Sequence, residues 1–151
     1  MTPAADGQYT GMAWRLEVVV VPVADIDRGV AFYADRLGFT LDHDVRPGPG
    51  NRIVQLTPPG SGCSIVLGEG VVPAMTPGSL RGLQLVVPDV VAAREQLVGR
   101  GVEVSEIQVL GGDPDAVSRG GSALDDVGFV FFDDPDGNAW TVQQMSQRNG
   151  S

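Results

Sequence analysis

With 151 residues, a net charge of −9 and 42% hydrophobic residues, the chain fits one domain or two small fused modules with a real core. Its ten basic residues are all Arg; the missing Lys excludes Schiff-base chemistry and a phosphate-binding Walker lysine, and an acidic chain without a basic stripe excludes nucleic acid and anionic membranes as partners. No apolar run nears the roughly 20 residues that span a bilayer, and a single cysteine, which forms no intrachain disulfide, fits a reducing cytoplasm.

Residues 1–14 read as a polar, flexible lead-in without the basic and apolar regions of a signal peptide. Leu16 to Val23 is a β-rich run. Asp25 then sits where a helix N-cap belongs, followed by Ile26, Val30, Phe32, Tyr33 and Leu37 at helical spacing, and Gly38 stops the helix. Phe39 to Val45 is a strand. Arg52 to Thr57 and Cys63 to Leu67 are two more, joined by the turn-rich Pro58–Gly62. Cys63 opens an apolar run with no His or Arg nearby to activate it, so it reads as a buried structural thiol.

Residues 75–80 form a linker, after which the pattern returns. Leu83 to Val87 is a strand, Pro88-Asp89 repeats the strand-to-cap transition, and Val90 to Arg100 is a helix with Val90, Ala93 and Leu97 on its apolar face. Gly101 stops it, Val102 to Gln108 is a strand, and Phe129–Phe132 and Ala139–Gln144 are the last two. Val109 to Gly128, with five glycines and four Asp, has no counterpart in the first half. It is a mobile surface insertion or a lid.

The chain therefore reads as α+β: two tandem βαβββ modules, 15–74 and 81–145, whose sheets form a cup-shaped, barrel-like surface, with a flexible tail at 146–151. Val23-Ala-Asp25, Ala31-Phe-Tyr33 and Leu37-Gly-Phe39 resemble the opening signature of the vicinal-oxygen-chelate superfamily, and Phe132-Asp-Asp-Pro-Asp-Gly-Asn138 resembles its closing signature. That superfamily contains glyoxalases, extradiol dioxygenases and bleomycin-resistance proteins. The resemblance implies paired modules around an open cup, a homodimer, and in catalytic members a divalent metal held by His, Glu or Gln on the inner face.

The positions that the resemblance assigns to metal ligands carry none. Seven residues before Asp25 and Asp89 stand Val18 and Gly82; the fourth-strand positions fall near Ile65 or Val66 and at Thr141. A lone neutral hydroxyl does not hold a divalent ion. Glu17 is one residue off and faces the other way on a strand. No metal and no cofactor is expected. Asp133, Asp134 and Asp136 read as capping groups of a turn in which Gly137 takes positive φ.

With Val18 inward, Val20 follows; with Gly82 inward, Gln84 follows; with Thr141 inward, Gln143 follows. Gln55 and Val66 complete the expected cup: Val18, Val20, Gln55, Val66, Gly82, Gln84, Thr141 and Gln143. The surface is apolar with a few neutral hydrogen-bonding groups, which suits a small-molecule pocket or a filled interior. Phe129, Phe131 and Phe132 read as core, and Trp140 as packed on a helix or at a dimer contact. His43, with Asp42 and Asp44, supplies the sole catalytic candidates; on a regular strand the two Asp share one face and His43 takes the other. The expected function is metal-free sequestering or sensing of a small apolar or aromatic compound. The alternatives are a metal-independent isomerase or lyase, and a metal-dependent glyoxalase-like lyase or dioxygenase.

Overall fold

The structure, a computed structural model, describes residues 11–146, so residues 1–10 of the expected lead-in and 147–151 of the expected tail lie outside the described residues. The elements run β1 (Val18–Val20), α1 (Ile26–Val30), β2 (Thr40–Val45), β3 (Arg52–Thr57), β4 (Ser64–Glu69), β5 (Leu83–Val87), α2 (Val90–Gly99), β6 (Gln108–Val109), α3 (Ala116–Arg119), β7 (Gly128–Asp133) and β8 (Ala139–Gln144). They form two four-stranded sheets of the same pattern, β1-β4-β3-β2 and β5-β8-β7-β6. In each, the first strand pairs in parallel with the last and the other pairs are antiparallel.

The two helices start as their sequences dictate. The Asp25 carboxylate accepts the Arg28 N–H (3.1 Å) and Asp89 accepts that of Ala92 (3.0 Å), each satisfying an orphan donor of the first turn. Gly38 and Gly101 follow the helix ends at φ +79° and +82°, a region that L side chains avoid. α1 does not stay α-helical. It widens into a π-helical segment, Ala31–Arg36, in which the Leu37 N–H reaches the Phe32 carbonyl (3.0 Å). The wider turn lets the neighbours Phe32 and Tyr33 both enter the core.

Two expectations about strands are corrected. Val102 to Gln108 is not a continuous strand: Val104 makes one bridge to Phe132, and only Gln108–Val109 pairs as β6. Ser105 is the cause. Its N–H donates to the Phe131 carbonyl while its hydroxyl accepts the Phe131 N–H (both 2.9 Å), so a side chain takes a ladder position; Arg94 Nε holds the Ser105 carbonyl (2.8 Å). Cys63 precedes β4 and is half-buried, not buried.

Both sheets put one face into a single core. On β3, Arg52, Val54 and Leu56 are buried while Ile53, Gln55 and Thr57 are half-buried, the period-2 signature of one covered face. Val21, Val54, Leu56 and Leu67 from the first sheet join Val130, Phe132, Trp140 and Val142 from the second, with Phe32 and Tyr33 of the first helical segment between them. The helix ends also meet. Arg36 Nη1 donates to the Gly101 carbonyl (2.9 Å), and Arg100 Nη1 to the Arg36 carbonyl (3.4 Å). The other face of each sheet turns away from this core; on it Ser64, Val66 and Gln143 are buried while Val18 and Val86 are exposed.

Candidate functional site

Register defines the open face of the first sheet, because residues paired across strands share a face. Val20 pairs with Val66, Val66 with Gln55, and Gln55 with His43; Val18 pairs with Ser64. Four of the expected cup residues, Val18, Val20, Gln55 and Val66, thus lie on one wall. Val66 and not Ile65 faces the cup, since Ile65 packs in the core.

His43 joins that wall with Asp42, against expectation. Leu41 pairs with Leu56 and His43 with Gln55, so two residues of β2 oppose one of β3. This β-bulge places Asp42 and His43 together opposite Gln55. The Asp42 carboxylate accepts a hydrogen bond from the Thr57 hydroxyl, Thr57 Oγ1 meets Ser64 Oγ (2.6 Å), and Gln55 Nε2 donates to Ser64 Oγ (3.2 Å). A polar chain therefore crosses three strands. Asp44 stays on the helix side, opposite Val54. There it holds the buried Arg52 through Nε (3.0 Å) and Nη2 (2.9 Å), while Arg52 Nη1 also reaches Asp27 (2.8 Å). The Arg52 hydrogen bonds keep the Asp44 carboxyl below the usual carboxylate range. Asp44 is a structural ion-pair partner, not part of the open wall.

The second wall follows the same logic. Gln84 pairs with Thr141 and Thr141 with Phe131; Val86 pairs with Gln143, Gln143 with Phe129, and Phe129 with Gln108. The expected Gln84, Thr141 and Gln143 share this wall. Gln84 Nε2 donates to Gln143 Oε1 (2.6 Å), and Gln143 Nε2 to the Asp126 carbonyl (2.9 Å). Gly82 leads into it at φ +91°, with open space where a Cβ would stand. Phe132 is core as expected, but Phe129 and Phe131 are not. They lie parallel on the open wall, ring centroids 6.3 Å apart and 7° between planes. Simple alternation along Phe129–Asp133 carried this signal, because Val130 and Phe132 own the buried face. Trp140 packs inward and donates Nε1–H to the Tyr33 hydroxyl (2.9 Å).

The four positions implied by the resemblance are Val18, Ile65 or Val66, Gly82 and Thr141, and of these only Thr141 has a side chain with a donor atom. Among the described residues no group of three His, Cys, Asp or Glu side chains is placed to share an ion. The closing turn is occupied structurally: Asp134 Oδ1 accepts the N–H groups of Asp136, Gly137 and Asn138 (2.9–3.0 Å). Among the described residues, no hydrogen bond links one wall to the other. The segment between β6 and β7 folds into α3 and a short 3₁₀ turn. Leu124 is fully buried, and Gln144 Nε2 donates to the Gly121 carbonyl and to Asp125 (both 2.9 Å). Two clefts, of about 700 and 290 Å³, open on the helix side, the first beside Arg28 and Arg36 and the second beside Phe39 and Leu97.

The model of the Glyoxalase/Bleomycin resistance protein/Dioxygenase superfamily matches residues 15–142. Among solved structures, TnmS3, an antibiotic binding protein from Streptomyces sp. CB03234, is 34% identical; the match covers 89% of this chain and 98% of that one at a TM-score of 0.69. A glyoxalase/bleomycin resistance protein from the same organism is also 34% identical, with 86% and 100% covered and a TM-score of 0.66. A superfamily member from Sphaerobacter thermophilus DSM 20745 shares the fold at 24% identity, with 87% and 98% covered and a TM-score of 0.69. No curated protein matches the chain.

Proposed function

The chain belongs to the Glyoxalase/Bleomycin resistance protein/Dioxygenase superfamily, and from that premise we propose that it sequesters a small apolar or aromatic compound, without a metal, between the walls of two copies. The carrying observation is the second wall. Stacked Phe129 and Phe131 present a flat apolar surface edged by Gln84, Thr141 and Gln143. Apolar area with a few fixed hydrogen-bonding groups is what a small-molecule site requires. Val18, Val66 and Gly82 offer no donor for the Lewis-acid chemistry of the family's catalytic members. Antibiotic binding by TnmS3 supports the sequestering role.

The same geometry supports a homodimer. Val18 and Val86 stay exposed on walls that one chain leaves unconnected. A second copy, related by a two-fold axis, would set the first wall of one chain against the second wall of the other. Among the described residues no helix is long and apolar enough to cross a membrane; with one unpaired cysteine, the proposed setting is the reducing cytoplasm.

Fluorescence titration with 8-anilinonaphthalene-1-sulfonate tests the site, paired with thermal shift in Mg²⁺, Mn²⁺, Fe²⁺, Ni²⁺ and Zn²⁺. Saturable probe binding and no metal-induced stabilisation are expected. A stoichiometric stabilisation by one ion would overturn the metal-free reading, because a specific ligand stabilises the fold by mass action. A second reading, a metal-independent isomerase or lyase, draws on Asp42 and His43 standing together on the first wall. Turnover of a bound compound that is lost in His43→Gln would move that reading to first.

A further inference from the structure

The two clefts on the helix side are built alike. Each lies between the helix of one half and the helix stop and hairpin turn of the other. The larger sets Arg28 and Arg36 beside Gly101 and Pro135, and the smaller sets Gln96 and Arg100 beside Gly38, Pro58 and Pro59. Their charge differs. Glu103, Asp133 and Asp134 line the larger cleft, and Arg28 is paired with Asp136 (2.7 Å). No Asp or Glu lines the smaller one, and among the described residues no carboxylate pairs with Arg100. The Arg100 guanidinium is nevertheless held in place. Its Nη1 rests on the Arg36 carbonyl (3.4 Å), and Gly38 leaves it room, because a Cβ there would stand 2.8 Å from Nη1. Nε and Nη2, the other edge of the fork, have no acceptor among the described residues.

We propose that the smaller cleft is a second binding site, which takes a small apolar monocarboxylate with its tail in the cleft and its carboxylate on Arg100. The floor is apolar: Phe39, Phe132 and Val142 are buried core residues, and Leu37, Leu85 and Leu97 are half-buried around them. An apolar floor with one placed polar group is what a small-molecule site requires. The unengaged Nε–Nη2 edge matches a carboxylate through two parallel hydrogen bonds. The chain's net charge of −9 does not forbid an anion here, because charges more than about 10 Å away are screened at ordinary ionic strength while Arg100 would touch its ligand. The cleft measures about 290 Å³, the volume of about ten waters at roughly 30 Å³ each, and so admits a chain as short as octanoate. Phe132 and Val142 lie on the core side of the second sheet and Phe129 and Phe131 on the other. The cleft is therefore separate from the open walls and stands whether or not two copies form a site there.

The test titrates the whole chain with sodium octanoate and with 1-octanol by calorimetry, below the micelle concentration. Saturable binding of one octanoate per chain is expected, at least tenfold tighter than 1-octanol. Arg100→Gln should weaken octanoate at least tenfold, and Ala93→Leu, which fills the cleft from α2, should abolish its binding. Phe131→Ala should leave it unchanged. Nuclear Overhauser contacts place the bound probe without any variant, and its methyl protons should reach the Phe39 and Phe132 rings. No saturable binding, or octanoate held as tightly by Arg100→Gln and Ala93→Leu as by the natural chain, overturns the proposal. Octanoate that contacts Phe129 and Phe131, displaces 8-anilinonaphthalene-1-sulfonate and weakens in Phe131→Ala occupies the open wall, which overturns the second site and leaves the first standing.

Discussion

Tyr33 donates a 2.6 Å hydrogen bond to the Asp134 carboxylate across 101 intervening sequence steps. The phenol belongs to the opening signature and the carboxylate to the closing one, so the two motifs that betray the family are one buried structure. Around them Asn138 Nδ2 donates to Asp134 Oδ2 and to the Pro22 carbonyl (both 2.8 Å), while its Oδ1 accepts the Leu80 N–H (3.0 Å). Burial and the Asp134 carboxylate raise the Tyr33 phenol far above its ordinary value, which keeps it neutral as a donor.

Tyr33→Phe should therefore destabilise without changing shape. The substitution removes the donor to Asp134 and the acceptor for Trp140 Nε1–H, leaving two buried polar groups short of a partner. A loss of about 1–3 kcal/mol in urea unfolding is expected. An unchanged midpoint would show that water repairs both gaps.

Asp44 predicts a pH dependence with a defined sign. Its folded pKa lies below the usual value because of the Arg52 hydrogen bonds. Its contribution is present above the unfolded carboxylate pKa, about 3.9, and is lost as pH falls through the lower folded value. Asp44→Asn should cost up to about 1 kcal/mol at pH 7, discounted because the Asp44 side chain is partly in water. The gap between variant and natural chain should close as the pH is taken from 5 towards 2. A gap that widens on acidification contradicts the assignment.

Phe131→Ala should separate binding from folding. The ring sits half-exposed on the open wall, so the melting temperature should fall little. Losing one stacking face is worth roughly 0.5–1.5 kcal/mol, about a tenfold weakening of 8-anilinonaphthalene-1-sulfonate at most. Phe132→Ala, by contrast, empties a buried site stacked on Trp140 and should cost about 3–5 kcal/mol. If the two variants behave alike, the wall and core assignments of these neighbours are reversed.

Much of this was legible in the sequence, for identifiable reasons. The caps Asp25 and Asp89 and the stops Gly38 and Gly101 act locally, and local rules found them. The shared faces of Val18 with Val20, and of Gln84 with Thr141 and Gln143, follow from alternation along β1, β5 and β8, which is undisturbed. The first helix concealed its π-helical turn, since Phe32 and Tyr33 fit an amphipathic face well enough without it. The bulge at Asp42 was invisible because it is a property of two strands: nothing in Leu41–Val45 alone says that β3 advances by one residue less. Ser105 likewise breaks its strand only through Phe131, and Phe129 and Phe131 were drawn to the core by hydrophobicity in spite of the alternation that places them outside. The separation of the walls is a tertiary matter that no local pattern encodes.

The meeting of Arg36 with Gly101 and of Arg100 with the Arg36 carbonyl ties the two helices to each other's length. A Cβ on Gly38 would come within 2.8 Å of Arg100 Nη1, and one on Gly101 within 2.7 Å of Arg36 Nη1. Each helix end is thus the seat of the other half's arginine. Adding one residue to α1 would swing Arg36 and Gly38 about 100° around the axis and unseat both contacts together. Insertions and deletions should be confined to the loops, and a change in the length of one helix tolerated only with a matching change in the other.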